Sequence, residues 1–138
     1  MIPTLAELRD AGLIRPVDHH LAVALARLHP EQHRAESADP VLAAAALCSA
    51  TLGEGHVCLP IGALAGRPLP MNQGMGPLFE RSWPELEELH RALADSPLTQ
   101  GPASPLVLDG VERLYLRRYW HHERRLAESL LKRAADGP

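Results

Sequence analysis

The stretch Asp39-Pro40-Val41-Leu42-Ala43-Ala44-Ala45-Ala46-Leu47-Cys48-Ser49-Ala50-Thr51-Leu52-Gly53 decides how this chain folds. Asp39 is a good N-cap, and Pro40 suits the first helical turn, where its missing amide is not needed. The residues that follow carry almost no polar face. A helix that is apolar all round belongs inside a protein. The stretch therefore predicts a buried central helix ended by Gly53. Leu47 is expected to be fully buried, so Leu47→Ala should cost ~2–5 kcal/mol. Directly after it, Gly53-Glu54-Gly55-His56-Val57-Cys58-Leu59-Pro60 sets two glycines around one glutamate. This reads as a sharp loop leading into a short extended run that stops at proline.

The composition agrees with packed helices. Of 138 residues 46% are apolar but only 4% aromatic, so Leu, Ala and Val must build the core. The length points to one domain that needs no disulfide or metal to hold it. With 13 Pro and 10 Gly, the elements should be short and firmly separated. Two cysteines make no disulfide framework, no run reads as a signal peptide, and none approaches a membrane span. Free thiols and a cytoplasmic location are the expectation.

Outward from the central helix, Thr4-Leu5-Ala6-Glu7 is a capping box that opens a helix stopping at Gly12. A second helix starts near Pro16 and ends at Pro30. Val17, Leu21, Leu25 and Leu28 are expected to form its inward face. Glu31 to Ala38 reads as a loop, and Pro60 to Ala65 as a single helical turn. Ser82-Trp83-Pro84-Glu85 reads as a second capping box, with Ser82 as N-cap and Glu85 three residues in. Trp83, Leu86, Leu89 and Leu93 then mark an apolar stripe. Pro105 to Leu108 and Arg113 to Leu116 flank Asp109-Gly110, a favoured turn pair, and predict a β-hairpin. A last helix is expected from Arg117 to Ala135, with Tyr119, His122, Leu126, Leu130 and Ala134 facing inward. The fold class is thus mainly α: a small helical domain around a buried central helix, with a short hairpin before the C-terminal helix.

The pattern offers no catalytic, cofactor or metal residues. Cys48, His56, Cys58, His19, His20, His121 and His122 lack the spacings that zinc sites use. His56 and Cys58 do not align as base and nucleophile, and Ser49 has no nucleophile elbow. A phosphate-binding loop needs a glycine-flanked Lys-Ser/Thr, and the single lysine, Lys132, lies in a helix pattern. ATP hydrolysis by this chain is excluded on that ground.

Charge is unevenly spread. Residues 1–112 carry a net of −7 and residues 113–138 a net of +4. An acidic body disfavours a phosphate backbone. The basic end interleaves arginines with aromatics, a pattern that holds single strands elsewhere. Arg117, Arg118, Tyr119, Trp120 and Arg124 are the candidates for such contacts.

Three pieces in order resemble the N-terminal domain of the exodeoxyribonuclease V alpha subunit (RecD) family. They are Gly53 to Pro60 after the alanine-rich helix, the two hairpin strands, and Arg118-Tyr119-Trp120 with Glu123 and Leu126. The likeness runs over about residues 10 to 135. Full-length members of that family are ATP-dependent helicases moving 5′ to 3′ on DNA. They work with a second motor and nuclease subunit (RecB) and a scaffold subunit (RecC). The resemblance implies a non-catalytic domain that docks to a RecC-like scaffold, beside a RecB-like subunit, in double-strand break repair and recombination. ATP and Mg²⁺ are expected only in the full-length motor, which would begin where this chain ends. Residues 1–116 are expected to form the docking domain, and 117–138 a helix linking to the motor. Leu69, Met71, Met75 and Phe79, in a Gly- and Pro-rich loop, are the candidate partner anchors. A single-stranded nucleic-acid-binding module is the alternative.

Overall fold

Thr4 caps the first helix, α1 (Leu5–Asp10), as expected. Its hydroxyl accepts from the Glu7 amide at 3.3 Å, and the Glu7 carboxylate accepts from the Thr4 amide at 2.9 Å. These are two donors that the helix itself cannot satisfy. The computed structural model describes residues 2–56, 58–66, 83–110 and 113–118. The expected C-terminal helix beyond Arg118 lies outside the described residues.

Helix α2 (Pro16–Leu28) begins at the proline, but its buried face differs from the one its leucines suggest. Asp18, Ala22, Leu25 and Ala26 are buried, while Val17 and Leu28 are each 59% exposed. The helix is turned by about one residue, roughly 100°. Two causes act together. Small alanines let α2 lie close on the alanine-rich helix beside it. Asp18 can also be buried because it has partners there.

That neighbour is α3 (Pro40–Gly53), the predicted central helix. One oxygen of Asp39 caps it, accepting from the Val41 amide at 2.9 Å. It packs against α1, α2, a later helix (Leu86–Asp95) and two strands, so it is the hub of the core. Val41 to Ala46 and Cys48 are buried. Leu47 is only half-buried, which corrects the expectation. The C-terminal half of α3 is covered on one side only: Ser49, Thr51 and Leu52 share the same partial exposure.

Past α3 the chain turns at Gly55, whose φ of 97° favours glycine. It enters β1 (Leu59–Pro60) and the single turn α4 (Ile61–Leu64). Helix α5 (Leu86–Asp95) buries Leu89 and Leu93 as expected. It starts later than the predicted cap, with Glu85 as N-cap. The Pro84 carbonyl accepts from the Gly66 amide at 2.8 Å, so it is tied to the preceding loop and not to a helical turn. Ser82 lies outside the described residues. A short 3-10 turn, Pro97–Thr99, leads toward the hairpin.

Strands β2 (Leu106–Asp109) and β3 (Arg113–Leu116) pair antiparallel, and β1 adds to the other side of β3. Leu59, Leu114 and Leu108 stand in one cross-strand row. Alternation puts this row on the same side of the sheet as Leu106 and Leu116. Leu59, Leu106 and Leu114 are buried in the core cluster that α3 also lines. Asp109 pairs with Arg113, so it belongs to the strand and only Gly110 of the Asp-Gly pair enters the loop. The result is a mainly α domain with a small antiparallel sheet. Among the described residues, no helix is long and apolar enough to cross a membrane.

Candidate interaction surface

The candidate partner anchors Leu69, Met71, Met75 and Phe79 lie outside the described residues, as do Tyr119, Trp120 and Arg124. Arg117 is described, and its guanidinium is engaged. It donates to the Ser104 hydroxyl at 2.9 Å, to the Gly101 carbonyl at 3.2 Å and to the Ser104 carbonyl. Its own amide donates to the Pro105 carbonyl at 2.9 Å. Arg117 thus clamps the turn before β2. Arg118 is exposed, whereas the neighbouring Tyr115 is buried in the sheet.

Two polar clusters escaped the sequence reading. The first surrounds Asp18, whose side chain is fully buried. Arg15, the N-cap of α2, donates to it from its backbone amide at 2.8 Å and from Nε and Nη2 at 3.0 and 2.8 Å. The Ser49 hydroxyl of α3 donates at 2.6 Å. Burial works to raise the carboxyl pKa of Asp18, but these hydrogen bonds and the Arg15 charge outweigh it and hold it below the usual value. The same pair holds Arg15 more firmly protonated. Arg15 Nη2 also donates to the Ser49 carbonyl at 3.3 Å, pinning the start of α2 to the end of α3. The local signal for this cluster is Arg15-Pro16-x-Asp18, with an acid three residues after the N-cap.

The second cluster ties the loop before α3 and the cap of α3 to the distant end of α5. His33 Nδ1 lies 2.6 Å from Asp39 and Nε2 lies 2.7 Å from the Ser96 hydroxyl. His33 and Ser96 are buried beside a cleft of about 510 Å³. Acid, imidazole and hydroxyl stand in the order of a nucleophilic triad. The backbone around Ser96 does not complete one. Its own amide donates to the Leu93 carbonyl at 3.3 Å, and the next residue, Pro97, has no N–H. An oxyanion would find neither of the donors that usually flank a serine nucleophile. The Ser96 oxygen accepts from the Leu98 amide at 3.1 Å, and Asp39 caps α3. His33 is therefore a staple between two caps. No local sequence pattern announces it.

The thiols behave as packing groups and surface groups. Cys48 is buried, its Sγ donates to the Leu114 carbonyl at 3.4 Å, and burial pushes its pKa up to about 12. Cys58 is half-buried and free. Among the described residues no three His, Cys, Asp or Glu side chains group as a metal site.

What remains open is an apolar surface. Val17 and Leu28, both on α2, are the large hydrophobic side chains most exposed among the described residues. The fold and this surface define a mainly α domain whose inner polar groups hold its own elements together. The chain matches the family model of the RecBCD enzyme subunit RecD, N-terminal domain, over residues 10–115, and it belongs to that family. No curated protein matches it.

Proposed function

We propose that this chain is a non-catalytic docking domain of a RecD-like helicase subunit, binding the RecC-like scaffold subunit of a RecBCD-type enzyme in break repair and recombination. The family match over residues 10–115 carries the reading. The inner polar clusters support it, because their donors and acceptors are taken up by the fold. In this reading residues 1–116 dock, residues 117–138 lead toward a motor, and the domain holds no cofactor of its own. Any ATP and Mg²⁺ belong to the motor. A RecB-like subunit is the further partner, and the setting is the cytoplasm.

The test is to mix the chain with the scaffold subunit from the same source at micromolar concentration on a sizing column. Co-elution is expected, and separate elution sinks the proposal. The nucleic-acid reading has less behind it. Of its candidate residues, Arg117 already has its guanidinium engaged by Ser104 and Gly101.

A further inference from the structure

The outer face of α2 has more order than a scatter of exposed side chains. Val17, Leu21, Ala24 and Leu28 follow at spacings of four, three and four. At ~100° per residue they fall in one narrow stripe, the seam spacing that packs one helix on another. Val17, Ala24 and Leu28 are exposed and Leu21 is half-buried. The turn of α2 described above created this stripe. By burying Asp18 and the alanines, the fold pushed the leucine face outward.

The stripe has a basic edge. His20 and Arg27 are seven residues apart, both exposed, and lie on the same side of the seam. Arg27 also lines, with Arg34, a groove of about 430 Å³ whose walls include Val23, Ala26 and Pro30. One acid, Glu36, lines it too. Neither guanidinium has a hydrogen bond or ion pair among the described residues. These cations are unpaired in a chain whose first 112 residues carry a net of −7.

This pattern selects an occupant. The chain's own end, residues 113–138, carries a net of +4 and is repelled by that edge. A second copy docked through the same face offers no carboxylate there either, since the one acid of α2, Asp18, is buried. We propose that the outer face of α2 docks an amphipathic helix of the scaffold subunit, its apolar seam on Val17, Leu21, Ala24 and Leu28 and its carboxylates along the edge facing His20, Arg27 and Arg34. This rests on the docking reading and adds the surface and the chemistry of the partner. The apolar seam supplies affinity, and the charged edge sets register and speeds encounter.

The experiment measures binding of the scaffold subunit to the full chain and three variants by titration calorimetry at two salt concentrations. Val17→Asp/Leu28→Asp should weaken binding at least about tenfold. Arg27→Glu/Arg34→Glu should weaken it and flatten its salt dependence. Arg91→Glu, which makes on α5 the same charge change as Val17→Asp/Leu28→Asp, should bind like the wild type. All the changed side chains are exposed, so unchanged circular dichroism and melting should accompany the loss. Equal binding by all four chains overturns the α2 surface while the docking reading stands. No binding by the wild-type chain overturns both. Self-association that Val17→Asp/Leu28→Asp abolishes would assign the seam to a second copy and overturn the scaffold helix as its occupant.

Discussion

The guanidinium of Arg15 lies against the α-carbon of Gly53, so close that a β-carbon there would stand 2.5 Å from Arg15 Cζ and Nη1. Gly53 thus leaves room for the arginine that clamps Asp18. Glu54, the next residue, adds a favourable charge to Arg15. Gly53→Ala should therefore displace Arg15 and lower stability, although alanine is the better helix former. In an Arg15→Met background the conflict is gone, and the same change should stabilise by ~0.5–1 kcal/mol. Urea unfolding of the four chains measures this coupling, and equal effects in both backgrounds would refute the contact.

Asp18→Ala should cost about 2–4 kcal/mol, because it leaves the Ser49 hydroxyl and the Arg15 amide without their buried acceptor. Asp18→Ala/Ser49→Ala should cost less than the two single changes added together. Denaturant midpoints of the three variants check it, and strict additivity would argue against the hydrogen bond.

His33→Ala should destabilise by ~1–3 kcal/mol, since it frees the Asp39 and Ser96 caps from each other. Ser96 should remain unlabelled by a fluorophosphonate that reacts with activated serines. Stoichiometric labelling would instead identify the cluster as a nucleophilic site.

Acidification should loosen the fold in two stages. Burial, then the nearby charges of Arg9 and His20, lower the His19 pKa from its ordinary 6.5, and its Nδ1 is buried without a hydrogen-bond partner. The unfolded chain takes that proton first, so stability falls as pH drops below about 6.5. Asp18, held below its ordinary 3.8, gives a second loss below that value. Melting temperatures between pH 7.5 and 3 should show His19→Gln less sensitive than the wild type in the upper range. Identical slopes would exclude His19 as the source.

Leu42→Ala should cost ~2–5 kcal/mol, because Leu42 is fully buried on α3. Leu47→Ala should cost clearly less, since its site already meets solvent. Thermal unfolding of the pair ranks them, and the reverse order would overturn the assignment of the covered face.

The element types were legible because they rest on local chemistry. Thr4 with Glu7, Pro16, and Asp39 with Pro40 all satisfy or dispense with helix-end amides that any helix leaves bare. The alternation of Leu106 and Leu108 against Leu114 and Leu116 likewise carries the hairpin. The start of α5 was less legible: it falls at Leu86, after a Pro84 carbonyl that accepts from Gly66, distant in sequence.

By itself, the sequence determined a buried alanine-rich central helix, the order of helices around it, the hairpin, and the likeness to the RecD N-terminal domain. Each follows from residues within a few positions of one another or from a pattern along the chain. The tertiary structure alone decided which side of α2 faces inward. Periodicity locates an apolar stripe on a helix, but burial also depends on how closely two backbones can approach and whether a buried charge finds partners. Ala22 and Ala26 permit the approach, and Arg15 and Ser49 partner Asp18. Val17 and Leu28 are left outside as a consequence, and so is the face proposed to receive a partner.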